Sequence, residues 1–115
     1  MKLQEETADG IVVITTVEKE SDAEKIATAL LEKKLAGCVQ IIGPIKSRYW
    51  WNGKIESACE FLCLIKTVKE RYTEVEKELR NLHPYSVPEI VGLETTFCVQ
   101  DYLQWLKNST GGVSL

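Results

Sequence analysis

Ile11 to Val17 is an almost unbroken run of β-branched residues following Gly10. Such a run reads as a central strand buried on both faces. The period then changes. Ala23, Ile26, Ala27, Leu30 and Leu31 recur at helical spacing behind Ser21-Asp22-Ala23-Glu24, a capping-box pattern, and Gly37 is the expected left-handed stop. Cys38 opens a second strand that is interrupted at Gly43-Pro44, so a bulge or an edge position is expected there. The strand resumes through Trp51, and Asn52-Gly53 predicts a type I′ hairpin turn returning as a third strand over Lys54 to Thr67. Thr67-Val68-Lys69-Glu70 repeats the capping box before a helix carrying Tyr72, Val75, Leu79 and Leu82, which Pro84 ends. Pro88 to Phe97 reads as a fourth strand, and Asp101 as the cap of a short helix with Tyr102, Leu103 and Leu106.

The order is strand, helix, strand, strand, helix, strand and a terminal helix. The expected fold class is α+β: a ferredoxin-like βαββαβ sandwich, two helices on one face of an antiparallel sheet, with an extended hairpin and a C-terminal helix. The domain is expected over residues 10–107, with flexible segments at 1–9 and 108–115. The hairpin sets a problem of size. A chain of 115 residues packs to a radius of gyration of about 13 Å, a diameter of roughly 34 Å. One arm, Cys38 to Trp51, reaches about 46 Å at strand rise. Unless Gly43-Pro44 folds it back against its own sheet, the tip bearing Tyr49, Trp50 and Trp51 projects beyond the body. Exposed aromatics beside free strand edges invite a second copy of the chain to cover them, so these three residues are the expected oligomer interface.

Composition narrows the function classes. The net charge is −3, and a phosphate-binding surface needs clustered Lys and Arg, so no nucleic-acid partner is expected. Met1 to Gly10 is polar and acidic with no apolar core of a signal peptide, and the longest apolar runs are far too short to cross a bilayer. No membrane association and a cytoplasmic location are the expectation. Cys38, Cys59, Cys63 and Cys98 contain no CxxC pair. Cys59 and Cys63, four residues apart on a strand, share a face but stand about 13 Å apart, beyond disulfide reach. They read as packing cysteines in reduced form.

No catalytic template is filled. The chain has a single histidine, His83, no nucleophile-elbow pattern, and no Cys–His pair that the spacing enforces. The loop Val17-Glu18-Lys19-Glu20-Ser21 lacks the glycines and arginine that cradle a phosphoryl or acyl-phosphate group. A small hydrolase on this scaffold is the alternative that this loop disfavours. An RNA-binding module fails for want of basic and aromatic positions on the third strand, and a copper chaperone of this fold for want of paired cysteines at the first loop. His83 has two readings: a helix C-terminal residue facing the dipole, or a metal or anion ligand with Glu89.

Leu35-Ala36-Gly37-Cys38-Val39, Tyr49-Trp50-Trp51-Asn52-Gly53-Lys54-Ile55-Glu56, Ile65-Lys66-Thr67, Leu82-His83-Pro84-Tyr85-Ser86-Val87-Pro88-Glu89-Ile90 and Tyr102-Leu103-Gln104-Trp105-Leu106 resemble, in order, the CutA divalent-cation tolerance proteins. The match runs from about Ile11 to Lys107. The resemblance implies a ferredoxin-like homotrimer, similar in architecture to the PII signalling proteins. It also implies a non-enzymatic binding or signalling role linked to copper and other divalent cations. Some bacterial members carry a cysteine where this chain has Thr15 and a His-His pair where it has Leu82-His83. Of those ligands His83 remains. The expected metal site is therefore His83 with Glu89, holding a divalent cation such as copper modestly. The expected ligand pocket, between subunits, comprises Lys66, Tyr85, His83 and Glu89.

Overall fold

The computed structural model describes residues 9–111. Strands β1 (Gly10–Val17), β2 (Cys38–Trp51), β3 (Lys54–Val68) and β4 (Val91–Glu94) form one sheet in the order β2-β3-β1-β4, and every pairing is antiparallel. Helix α1 (Glu20–Glu32) connects β1 to β2, α2 (Tyr72–Leu82) follows β3 after a single 3-10 turn at Lys69–Arg71, and α3 (Gln100–Ser109) closes the chain.

The period-two pattern decides which sheet face the helices cover. Val13 pairs with Ile65 and Thr15 with Cys63, while Val39 and Ile41 continue the same rows on β2. Ala23, Ile26 and Leu30 of α1 and Val75 and Leu79 of α2 close over those rows to form the core. Cys63 is wholly buried in it, and burial, with a smaller push from Glu24, raises its thiol pKa to about 11. It acts as a small hydrophobe, as expected, whereas Cys59, expected to pack in the same way, is exposed because the hairpin there has left the body of the sheet. The opposite face carries Val12, Ile14, Leu62, Leu64, Ile42, Val91 and Leu93. Helix α3 covers only one end of it, burying Leu103, Leu106 and Val68.

The hairpin projects. The described chain measures 49 × 28 × 22 Å with a radius of gyration of 15.2 Å, above the about 13 Å of a compact chain this long. The expected turn is present, with φ of 51° at Asn52 and 77° at Gly53. The β2 ladder slips between Ile42 and Ile45, at the Gly43-Pro44 interruption, and β2 is an edge strand.

Several expected details are corrected. Helix α1 starts at Glu20, with Lys19 as N-cap and no side-chain cap bond, so Ser21 lies inside the first turn. Thr67 stays in β3, paired with Ile11, and its hydroxyl donates to the Leu35 carbonyl at 2.7 Å instead of capping a helix. Val99, not Asp101, occupies the N-cap of α3. The left-handed residue after α1 is Lys34, with φ of 57°. Leu35 N–H returns to Leu30 O and Lys34 N–H to Leu31 O, a Schellman closure with Leu35 and Leu30 both in the core. Gly37 is needed for a different reason: a Cβ there would stand 2.9 Å from Leu106 and 3.3 Å from the Trp105 ring. The fourth strand spans Val91–Glu94 rather than Pro88 to Phe97. At the C-terminus α3 runs past Lys107 to Ser109, and Thr110 is buried, held by the Arg71 guanidinium on its carbonyl. The remainder of both expected flexible segments, residues 1–8 and 112–115, lies outside the described residues.

Candidate functional site

Helix α2 must end before Pro84, because a residue preceding proline is driven out of helical geometry. His83 accordingly is extended, at ψ of 133°, and turns its ring back toward the end of β1. Its ring nitrogens have separate partners. Nδ1 accepts the Tyr85 backbone N–H at 3.2 Å, so Nδ1 holds the lone pair. Nε2 then carries the proton, facing the Thr16 carbonyl and the Thr15 hydroxyl, each at 3.0 Å. Burial lowers the imidazole pKa, outweighing the opposite effects of the Thr16 carbonyl and the Asp22 and Glu60 carboxylates. His83 is thus a neutral bracket that fixes the following loop to β1.

That loop forms one wall of a cleft of about 630 Å³. Tyr85 and Glu89 line it from the loop, Thr16 and Glu18 from the end of β1, and the hairpin supplies Arg48, Tyr49, Trp51 and Glu60. Tyr85 and Glu60 join the walls: the phenol donates to Glu60 Oε2 at 2.7 Å. Burial, then the Glu60 bond and carboxylate, push the phenol pKa well above its ordinary range. The Tyr85 ring also leans on His83, with centroids 4.9 Å apart.

Of the expected site residues, the structure brings His83, Tyr85 and Glu89 to one loop, with Tyr85 and Glu89 facing the cleft. Lys66 is elsewhere. It sits on β3 between Cys38 and Val12, roughly 20 Å along the strand from Glu60 and outside the cleft lining. The aromatic triplet divides by alternation. Tyr49 and Trp51 line the cleft, while Trp50 belongs to the other hairpin face and is 72% exposed. Sequence reasoning missed Glu60, Glu18, Thr16 and Arg48 as site residues. The signal for Glu60 was a lone carboxylate within the apolar stretch Cys59-Glu60-Phe61-Leu62-Cys63-Leu64.

Residues 11–109 match the family model described as CutA1 divalent ion tolerance protein. The chain belongs to the CutA1 family. The Divalent-cation tolerance protein CutA of Archaeoglobus fulgidus is 44% identical over 88 residues, covering 76% of this chain and 85% of that protein. That of Thermus thermophilus is 41% identical over 100 residues, covering 87% and 97%. The solved structure of the periplasmic divalent cation tolerance protein CutA from Archaeoglobus fulgidus superposes with a TM-score of 0.85 at 40% identity, covering 88% of this chain and 98% of that one.

CutA proteins are named for divalent-cation tolerance and not for a catalysed reaction. In this CutA chain no three His, Cys, Asp or Glu among the described residues are grouped to hold a metal ion. Thr15 partners His83, and Leu82 is 37% exposed at the end of α2. No helix among the described residues is long and apolar enough to cross a membrane.

Proposed function

We propose that the protein is a homotrimeric, non-catalytic binding protein linked to divalent-cation tolerance, which takes a metal ion or small ligand in its cleft where subunits meet. The observation that carries the assembly is the uncovered sheet face. Val12 pairs with Leu93 and Ile14 with Val91, Ile42 pairs with Leu62, and Ile42, Val91 and Leu93 are each more than two-fifths exposed. A continuous apolar face of this kind needs a cover. Both sheet edges, β2 and β4, also have no further strand partner among the described residues. Two different free edges suit a head-to-tail ring, and the number three comes from the family resemblance. The protomer is read as ferredoxin-like on its element order and its strand order. Trp50, Tyr49 and Trp51 join the interface in this reading. Lys66 enters as a residue supplied to the pocket by a neighbouring subunit, and residence is cytoplasmic.

Sedimentation equilibrium tests the assembly: a mass three times the 13.0 kDa of one chain is expected, with no folded monomer at micromolar concentration. A compact monomer that unfolds cooperatively overturns it. Copper(II) at His83 and Glu89 is the metal form of the proposal; the family's name supports a divalent ion, and copper comes from the family resemblance. Its affinity is expected to be modest, because Nδ1 must give up the Tyr85 N–H or Nε2 its proton.

A further inference from the structure

The cleft has an unusual balance of groups. Three carboxylates, Glu18, Glu60 and Glu89, face one guanidinium, Arg48. Among the described residues none of the four takes part in an ion pair within the protomer. Glu60 is the telling member. It is only 7% exposed and takes the Tyr85 hydroxyl on Oε2, and its other oxygen has no donor among the described residues. No buried side-chain oxygen among the described residues lacks a hydrogen-bond partner, so this second oxygen opens to the cleft, where a cation would offset the hydration the carboxylate has lost. The remaining wall is aromatic: Tyr49, Trp51 and Tyr85. Aromatic faces attract cations through their quadrupole and at the same time displace water.

From this arrangement we infer that the cleft takes a small organic cation, a protonated alkyl amine, with Glu60 as its buried counter-charge and the Tyr49 and Trp51 rings against its alkyl part. The inference rests on the reading of the cleft as a ligand site and names the ligand's class. Size and donor chemistry favour an organic cation over a bare metal ion. A cavity of about 630 Å³ lies within the range of small-molecule sites. A hard divalent ion takes six or more oxygen ligands at close range, and no three acidic or soft ligands among the described residues are grouped for one. Anionic ligands such as nucleotides are opposed by the excess of carboxylates.

The experiment titrates the full-length assembled protein with 1,4-diaminobutane, its uncharged analogue 1,4-butanediol, inorganic phosphate and copper(II). Binding is followed by calorimetry and by the indole N–H resonance of Trp51. The diamine is expected to bind saturably and shift the Trp51 resonance, and the diol to bind at least tenfold more weakly. Glu60→Gln retains an acceptor for the Tyr85 hydroxyl and should weaken the diamine at least tenfold. Glu89→Gln, at an exposed position where misfolding is not at issue, should weaken it severalfold. Equal affinity for diol and diamine, or diamine binding unchanged in both variants, overturns the inference. Phosphate or copper moving the Trp51 resonance where the diamine does not would overturn the organic-cation assignment and leave the ligand site standing. Silence of that resonance to all four probes would overturn both readings together, the cleft then being closed by a neighbouring subunit.

Discussion

Tyr85→Phe removes one oxygen and leaves the ring on His83. The hydroxyl is 2.7 Å from Glu60 Oε2, and Glu60 is 7% exposed, so the variant strips a nearly buried carboxylate of its one hydrogen bond among the described residues. A hydrogen bond to a charged group contributes about 1.5–3 kcal/mol net, more than a neutral pair, because the orphaned charge bears the desolvation. The pair sits at the wall of an open cleft, where water can replace part of the lost bond, so the lower half of that range applies: about 1.5–2 kcal/mol. Equilibrium urea unfolding at fixed protein concentration measures it as a fall in the midpoint at unchanged slope. Glu60→Ala, which removes the acceptor, and the double variant complete a cycle, in which the coupling should be about 1 kcal/mol or more. If Tyr85→Phe costs the same with and without Glu60, within about 0.5 kcal/mol, then the bond does not join hairpin to loop and the account of the cleft wall is wrong.

Three other outcomes are expected. Trp50→Ala should weaken self-association, and without a stable monomer the loss appears as an unfolding midpoint that falls more steeply on dilution; unchanged association by sedimentation removes Trp50 from the interface. His83 titrates lower in the folded than in the unfolded state, so the unfolded chain binds more protons in between. Stability should hold above about pH 6.5 and decline as pH falls through the lower folded value, where a second ring proton would face the Tyr85 N–H; a His83→Gln variant with the same decline places its origin elsewhere. In calorimetric titration, copper(II) binding should hold through about pH 6.5, weaken as pH drops through the lower folded value of His83, and disappear in His83→Ala, and equal binding by that variant moves the metal to other residues.

What the sequence disclosed and what it hid have a common cause. Elements whose buried face repeats at one period were legible: β1, α1 and the long hairpin follow from Ile11-Val12-Val13, from Ala23-Ile26-Ala27-Leu30 and from Asn52-Gly53, because burial enforces the period. Features that depend on a partner across the fold were not. Thr67 looked like a helix cap, but β1 offers it a ladder partner in Ile11 and the α1–β2 connection offers its hydroxyl the Leu35 carbonyl, so it remained a strand residue. Thr95, Thr96 and Phe97 have the composition of strand, yet β4 pairs with β1 only from Ile11 to Ile14, and the ladder ends at Glu94. The site divides in the same way. Tyr85 and Glu89 stood out in a short segment rich in proline, histidine and acid, whereas Glu60 was one carboxylate in a strand until the Tyr85 hydroxyl was found against it. Once strand pairing is known, its place follows: one oxygen of a largely covered carboxylate takes the phenol and the other opens to the cleft. Three carboxylates against Arg48 and, in the trimeric reading, a neighbour's Lys66 leave the cleft short of positive charge, and that shortfall is the most specific statement the fold makes about what the cleft binds.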